Sequence, residues 1–169
     1  MKYRIERTEG DDCWDDVEKI AFGPGPWWYV YIDDEPALAV ETHAFSHDSD
    51  VVIFSDYLAV GDSDNGIHFI NLLNFEVTDV ETGRFFCEFV VDRNTLYVLG
   101  AEYIMAYNSK LELLWKSKRL SADGVYCKGQ EGDIMTVECC LMPWSEDWFD
   151  VTISLLDGSI IHTPIEFHN

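Results

Sequence analysis

Short apolar runs alternate with polar turns along this chain, and the order of the runs repeats. The run Tyr57-Leu58-Ala59-Val60 is followed by Ile67-His68-Phe69-Ile70 and then Phe75-Glu76-Val77. The same order returns as Leu96-Tyr97-Val98-Leu99, Ile104-Met105-Ala106-Tyr107 and Leu111 through Trp115. A third copy opens at Ile134-Met135-Thr136-Val137 and closes with Val151 through Leu155 and Ser159-Ile160-Ile161. Leu58 to Leu96 is 38 residues, and Leu96 to Ile134 is 38 again. Periods of this size mark stacked or radial units, none of which buries its own apolar face alone.

Turn chemistry punctuates the runs. Asp62-Ser63-Asp64-Asn65-Gly66 predicts a hairpin, because Asn-Gly supplies the positive φ values of primed turns. Asn108-Ser109-Lys110 and Asp157-Gly158 predict turns by the same logic. Upstream, Trp27 to Ile32 is apolar and aromatic, and Asp33-Asp34-Glu35-Pro36 turns the chain into Ala37 to Thr42. Residues 1–26 are the least regular. Within them 11–22 predicts one short helix, capped by Asp11 or Asp12, with Trp14, Val17 and Ala21 on one face. Gly23-Pro24-Gly25-Pro26 ends it. Short strands at regular spacing predict an all-β fold over 27–161, within a single domain spanning 1–169.

The unit near Asn94 resembles the blade repeat of quinoprotein-type and WD-type β-propellers. The residues that carry the likeness are Leu96-Tyr97-Val98, then Tyr103-Ile104 and Ala106-Tyr107, then Leu111 to Lys116 with Trp115. Asn108 stands where that pattern has an acidic residue, and the glycine of its last turn is absent. The likeness covers about 56–161, and the third copy carries an insertion. It implies a binding scaffold of four-stranded blades. Closed propellers have about 4–8 blades of roughly 40 residues or more. Three units and a hairpin over 27–54 therefore predict a partial or small propeller-like stack of antiparallel sheets. No quinone cofactor is expected of a chain too short for a full ring.

Charge changes the functional picture. Acids number 32 and Lys plus Arg number 11, a net of −21. Through Gly83 there are 19 acids and 4 bases; beyond it there are 13 and 7. Such a field repels nucleic acid and speeds encounter with a basic protein. Hydrophobic residues at 47% suffice for a core, and no run approaches the roughly 20 apolar residues of a membrane helix. The N-terminal residues lack a signal-like apolar segment, and five cysteines without regular spacing suit a reducing compartment. A cytoplasmic location is expected.

Candidate chemistry is sparse. His43 and His47 have i, i+4 spacing but fall in a loop-like stretch, so a metal-dependent enzyme is an alternative reading only. Asp62, Asp64 and Gly66 miss the calcium-loop pattern. Cys87 sits in an apolar strand, where a thiol is ordinarily inert. No nucleophile elbow or phosphate loop occurs. The expected function is non-catalytic binding of a basic protein partner, in the manner of an immunity protein or antitoxin neutralising a basic toxin. The candidate contacts are Asp33, Asp34 and Glu35 on one hairpin tip, Asp62 and Asp64 on another, and Glu146 and Asp147 beside Trp144. Neither a metal nor another cofactor is assigned. A homo-oligomer, or a scaffold subunit of a larger propeller-like assembly, is the other expectation.

Overall fold

The computed structural model describes residues 1–8, 16–43, 50–62, 66–82, 84–142 and 147–165. They form four sheets of four strands each. Blade 1 is built from β1 (Tyr3–Thr8), β2 (Glu18–Ala21), β3 (Trp27–Ile32) and β4 (Glu35–Glu41), in spatial order β1-β3-β4-β2. The other blades are simple meanders. Blade 2 is β5 (Val51–Phe54), β6 (Tyr57–Asp62), β7 (Gly66–Asn71) and β8 (Val77–Val80). Blade 3 is β9 (Phe86–Asp92), β10 (Thr95–Gly100), β11 (Ile104–Asn108) and β12 (Leu113–Lys116). Blade 4 is β13 (Val125–Glu131), β14 (Ile134–Cys140), β15 (Trp148–Ser154) and β16 (Ile160–His162). The repeat read from the sequence therefore starts at the second strand of blades 2, 3 and 4.

The N-terminal segment departs from expectation. Glu18–Ala21 is a strand parallel to β4, not the end of a helix. Ile20 points into the core while Glu18, Lys19 and Ala21 stay exposed. Ala21 would have shared the buried face of a helix. Pairing along β4 gives blade 1 its fourth strand, and that tertiary gain overrides a weak local preference. Residues 11–15 lie outside the described part of the chain. Tyr3–Thr8, expected to be irregular, is the first strand, with Tyr3 and Ile5 turned inward.

The blades stack face to face through three apolar layers. Between blades 1 and 2, Trp28, Val30, Leu38 and Val40 meet Val51, Leu58, Val60 and Ile70. Between blades 2 and 3, Ala59, Ile67 and Phe69 meet Phe89, Leu96, Val98 and Met105. Between blades 3 and 4, Leu99, Ile104 and Ala106 meet Met135, Val137, Val151 and Ile153. The first strands lie together along one side: β5 touches β1 and β9, and β9 touches β13. Among the described residues no fourth layer joins blade 4 back to blade 1.

Strand patterning follows from position in the stack. β10 is apolar on both faces because Leu96 and Val98 face blade 2 while Tyr97 and Leu99 face blade 4. β14 alternates. Met135, Val137 and Cys139 are buried, whereas Ile134, Thr136 and Glu138 point outward. Met135, not Ile134, is thus the counterpart of Leu96.

The turns after the third strands repeat one device. Asn71 Oδ1 accepts from the Leu73 amide, Asn108 Oδ1 from the Lys110 and Glu112 amides, and Ser154 Oγ from the Leu156 amide. A left-handed residue then closes each turn: Phe75 (φ 60°), Leu111 (φ 60°) and Gly158 (φ 71°). Asn108 fills the acidic position by capping the turn, and Leu111 takes the conformation of the missing glycine.

Candidate protein-binding surface

Exposed carboxylates gather at one end of the stack. In blades 2, 3 and 4 the turn after the first strand and the turn after the third share that end, since Tyr57 pairs with Asn71, Thr95 with Asn108 and Ile134 with Ser154. The Tyr3 hydroxyl donates to Asp56 Oδ1 at 2.8 Å, which brings the Asp33-Asp34 turn of blade 1 to the same end. Asp33, Asp34, Asp56 and Asp133 are exposed there, with Asp92 half-buried. Few cations answer them. Lys2 lies 3.5 Å from Asp34, and Arg93 lies 3.9 Å from Asp92 and 3.8 Å from Asp133. Both cations are largely exposed, so these pairs are weak. The Tyr3 hydroxyl records the local field: burial first, then the bond to Asp56 and the charges of Asp56 and Asp33, push it up to about 12.

A second surface is the outward face of blade 4, which no further sheet covers among the described residues. Tyr126 and Trp148 stand on it with ring centroids 5.7 Å apart, 41% and 36% exposed. In register with Tyr126 come Glu138 and Asp150. Lys128 Nζ reaches Asp150 at 2.8 and 3.1 Å and Glu138 at 3.7 Å. Cys140 pairs with Trp148, and the exposed Leu141 and Met142 follow it. The result is an aromatic and aliphatic patch rimmed by Glu138, Asp150 and the exposed Asp147. Polar rims around aromatic anchors are the usual anatomy of a protein interface.

Among the described residues, three thiols are shifted away from nucleophilic activation. Burial, opposed by bonds from Val125 and Tyr126, pushes the Cys87 thiol up to about 11. Burial likewise pushes Cys139 up to about 12 and raises Cys127. Thiols shifted this way are poor nucleophiles. Glu88 accepts the Cys127 amide at 2.8 Å, yet its carboxyl is raised, first by burial and also by the charge of Asp50. His68 Nδ1 lies 2.7 Å from Asp79 Oδ1 across the β7–β8 pair. Its ring stacks on Phe22 at 3.8 Å, so it packs blade 2 against blade 1. Among the described residues no group of three His, Cys, Asp or Glu side chains is placed to hold a metal. His47 lies outside them.

The residues singled out in the sequence divide between the two ends. Asp33 and Asp34 form a two-residue turn with φ of 51° and 68°, and Glu35 already begins β4. Asp62 ends β6 opposite Gly66, at the far end of blade 2. Asp147 precedes β15 at the far end of blade 4. Asp64, Trp144 and Glu146 lie outside the described residues. Tyr126 was missed, although Gly124 and Gly132 bracket a run in which Val125 and Cys127 alternate with Tyr126 and Lys128. Trp148 and Phe149 alternate in β15: Phe149 joins the layer against blade 3 and Trp148 faces out. Trp115 is half-buried in that layer, and its indole donates to the Leu155 carbonyl at 3.1 Å.

No family model matches the chain, and no curated protein matches it. Solved structures do. The computationally designed Ika4 protein matches with a TM-score of 0.51 at 10% identity, over 70% of this chain and 74% of that one. The computationally designed Ika8 protein gives 0.57 at 10%, over 82% of this chain and 42% of that one. The WD40 domain of Pan2 from Neurospora crassa gives 0.51 at 9%, over 80% and 45%. The chain thus spans less than half of the latter two. At these identities the likeness shows the fold alone, and that fold is an all-β, propeller-like stack of blades. No helix among the described residues is long and apolar enough to cross a membrane.

Proposed function

We propose that this chain is a non-catalytic, acidic protein-binding domain that captures a basic protein, in the manner of an immunity protein or antitoxin. One observation carries the reading: acids outnumber Lys and Arg by 32 to 11, and Asp33, Asp34, Asp56 and Asp133 stand exposed on turns at one end of the stack. A field of that sign steers a basic partner into encounter and disfavours nucleic acid. The raised thiols of Cys87 and Cys139 support a role without covalent chemistry. The aromatic patch on blade 4 supplies the apolar contact that long-range charge lacks.

The test is affinity capture from host lysate at low salt, with the bound protein identified by mass. The expected result is one strongly basic protein, bound in a fixed ratio, released by salt and recaptured when purified. Capture of acidic or neutral proteins only, or of none, overturns the reading.

A specific observation favours a second reading, a scaffold subunit in a larger propeller-like assembly. The stack is open among its described residues, and it covers 42% and 45% of two matched chains. Sedimentation across a hundredfold concentration range separates the two. A mass that climbs with concentration favours the scaffold, and a constant monomer mass favours the acidic binder.

A further inference from the structure

We propose that the Tyr126–Trp148 pair on blade 4 is the seat of an arginine side chain from the basic partner. The inference rests on the acidic-binder reading and adds the chemistry of its contact. A guanidinium is a plane that stacks on aromatic rings and forks onto carboxylates, whereas an ammonium does neither as well. Tyr126, whose side chain also reaches Cys87 of β9, and Trp148 present the rings, and Glu138 and Asp150 lie in register beside Tyr126.

The molecule already holds this arrangement once, on the outward face of blade 1. There the Arg4 guanidinium lies 3.8 Å over the Tyr31 ring and pairs with Glu6. Tyr31 is buried there. Blade 4 likewise carries rings beside carboxylates on its own outward face. Among the described residues the cations over aromatic rings are Arg4, Arg7 and Lys116, which cover Tyr31, Trp28 and Tyr103. In the free chain Lys128 Nζ sits on Asp150 and Glu138 beside the exposed rings of Tyr126 and Trp148, so an incoming guanidinium takes its place on those carboxylates. The net charge of −21 supplies complementarity to a basic occupant. The exposed Leu141 and Met142 follow Cys140, the partner of Trp148 in the sheet.

The experiment compares nona-arginine and nona-lysine peptides by isothermal titration at low ionic strength. The proteins are the wild type, Tyr126→Ala and Trp148→Ala, with circular dichroism to confirm the fold. Trp148→Phe is the control that keeps a ring. The wild type and Trp148→Phe are expected to bind nona-arginine about 5- to 10-fold more tightly than nona-lysine. Each alanine variant is expected to lose most of that preference while nona-lysine binding stays unchanged. Equal binding of both peptides by the wild type overturns the arginine seat and leaves the acidic-binder reading standing. So does a preference that survives both alanine variants. Absence of binding by either peptide overturns both.

Discussion

At the scale of single residues, contacts between blades are set by which side chains yield space. Gly61 in β6 lets the Phe86 ring lie against the backbone, and a Cβ built there would sit 2.1 Å from that ring. Phe86 is buried in the layer between blades 2 and 3 and cannot swing into solvent without emptying it. Gly61→Ala reduces the chain entropy of the unfolded state, a gain of about 0.5–1 kcal/mol. Overpacking costs about 1–3 kcal/mol and wins. A lowered urea midpoint is therefore expected, and an unchanged or raised midpoint would mean that the layer is loosely packed.

Glu88 carries a pH signature at the same scale. Its folded-state carboxyl is raised above the ordinary 4.5, chiefly by burial. The native state therefore binds more protons than the unfolded chain from about 4.5 upward to the raised value, and stability falls as pH rises through that window. Glu88→Gln removes this loss, and its amide oxygen still accepts from the Cys127 amide. The variant should exceed the wild type in stability at pH 7, with the advantage shrinking toward pH 4. Urea melts at both values check this, and a variant less stable at pH 7 contradicts it.

At the scale of elements, strand pattern encodes place in the stack. Central strands β6 and β10 read as continuous apolar runs, while β14 alternates because its outer face meets solvent. The repeat was legible for this reason, and its phase was not. Leu58 and Leu96 are both fully buried, but 38 residues further on Ile134 is 41% exposed and Met135 is buried. A shift of one residue exchanges the faces of a strand. Met135→Ala should cost about 2–5 kcal/mol and Ile134→Ala under about 1 kcal/mol, read from urea unfolding. Equal costs would put the repeat back on Ile134.

The N-terminal blade hid for a different reason. β1 alternates plainly, with Tyr3 and Ile5 inward and Arg4 and Glu6 outward, but no copy of it recurs at the period of the other blades. β2 has four residues and a single buried side chain, Ile20, which is too little pattern to distinguish strand from helix. Its parallel place beyond β4 is a tertiary fact that local spacing does not carry.

At the scale of the whole molecule, four blades make a stack with two unlike ends. Blade 1 turns Tyr29, Tyr31 and Ala39 outward and covers them, in part with Arg4. Blade 4 presents Lys128, Thr136, Glu138, Trp148, Asp150 and Thr152. Sequence reasoning found the charge and its abundance on turns, because acids are counted without knowing the fold. Local spacing does not relate Asp33, Asp34 and Glu35 to Asp62 and Asp147, and the stack sets them at opposite ends of the blades. The turn-end acids act over distance and the blade 4 patch by contact. Substitutions at Asp33 and Asp34 should therefore change how fast a partner arrives, and substitutions at Trp148 how long it stays.

The central claim is that the acidic surface draws in a basic protein. Its most direct test is the association rate constant with the captured partner, measured by stopped flow across ionic strengths, for the wild type and Asp33→Lys/Asp34→Lys. The account predicts a wild-type rate that falls steeply with salt, and a variant that is slower at low salt with a flatter dependence. A rate indifferent to salt, and equal in the two proteins, would contradict it.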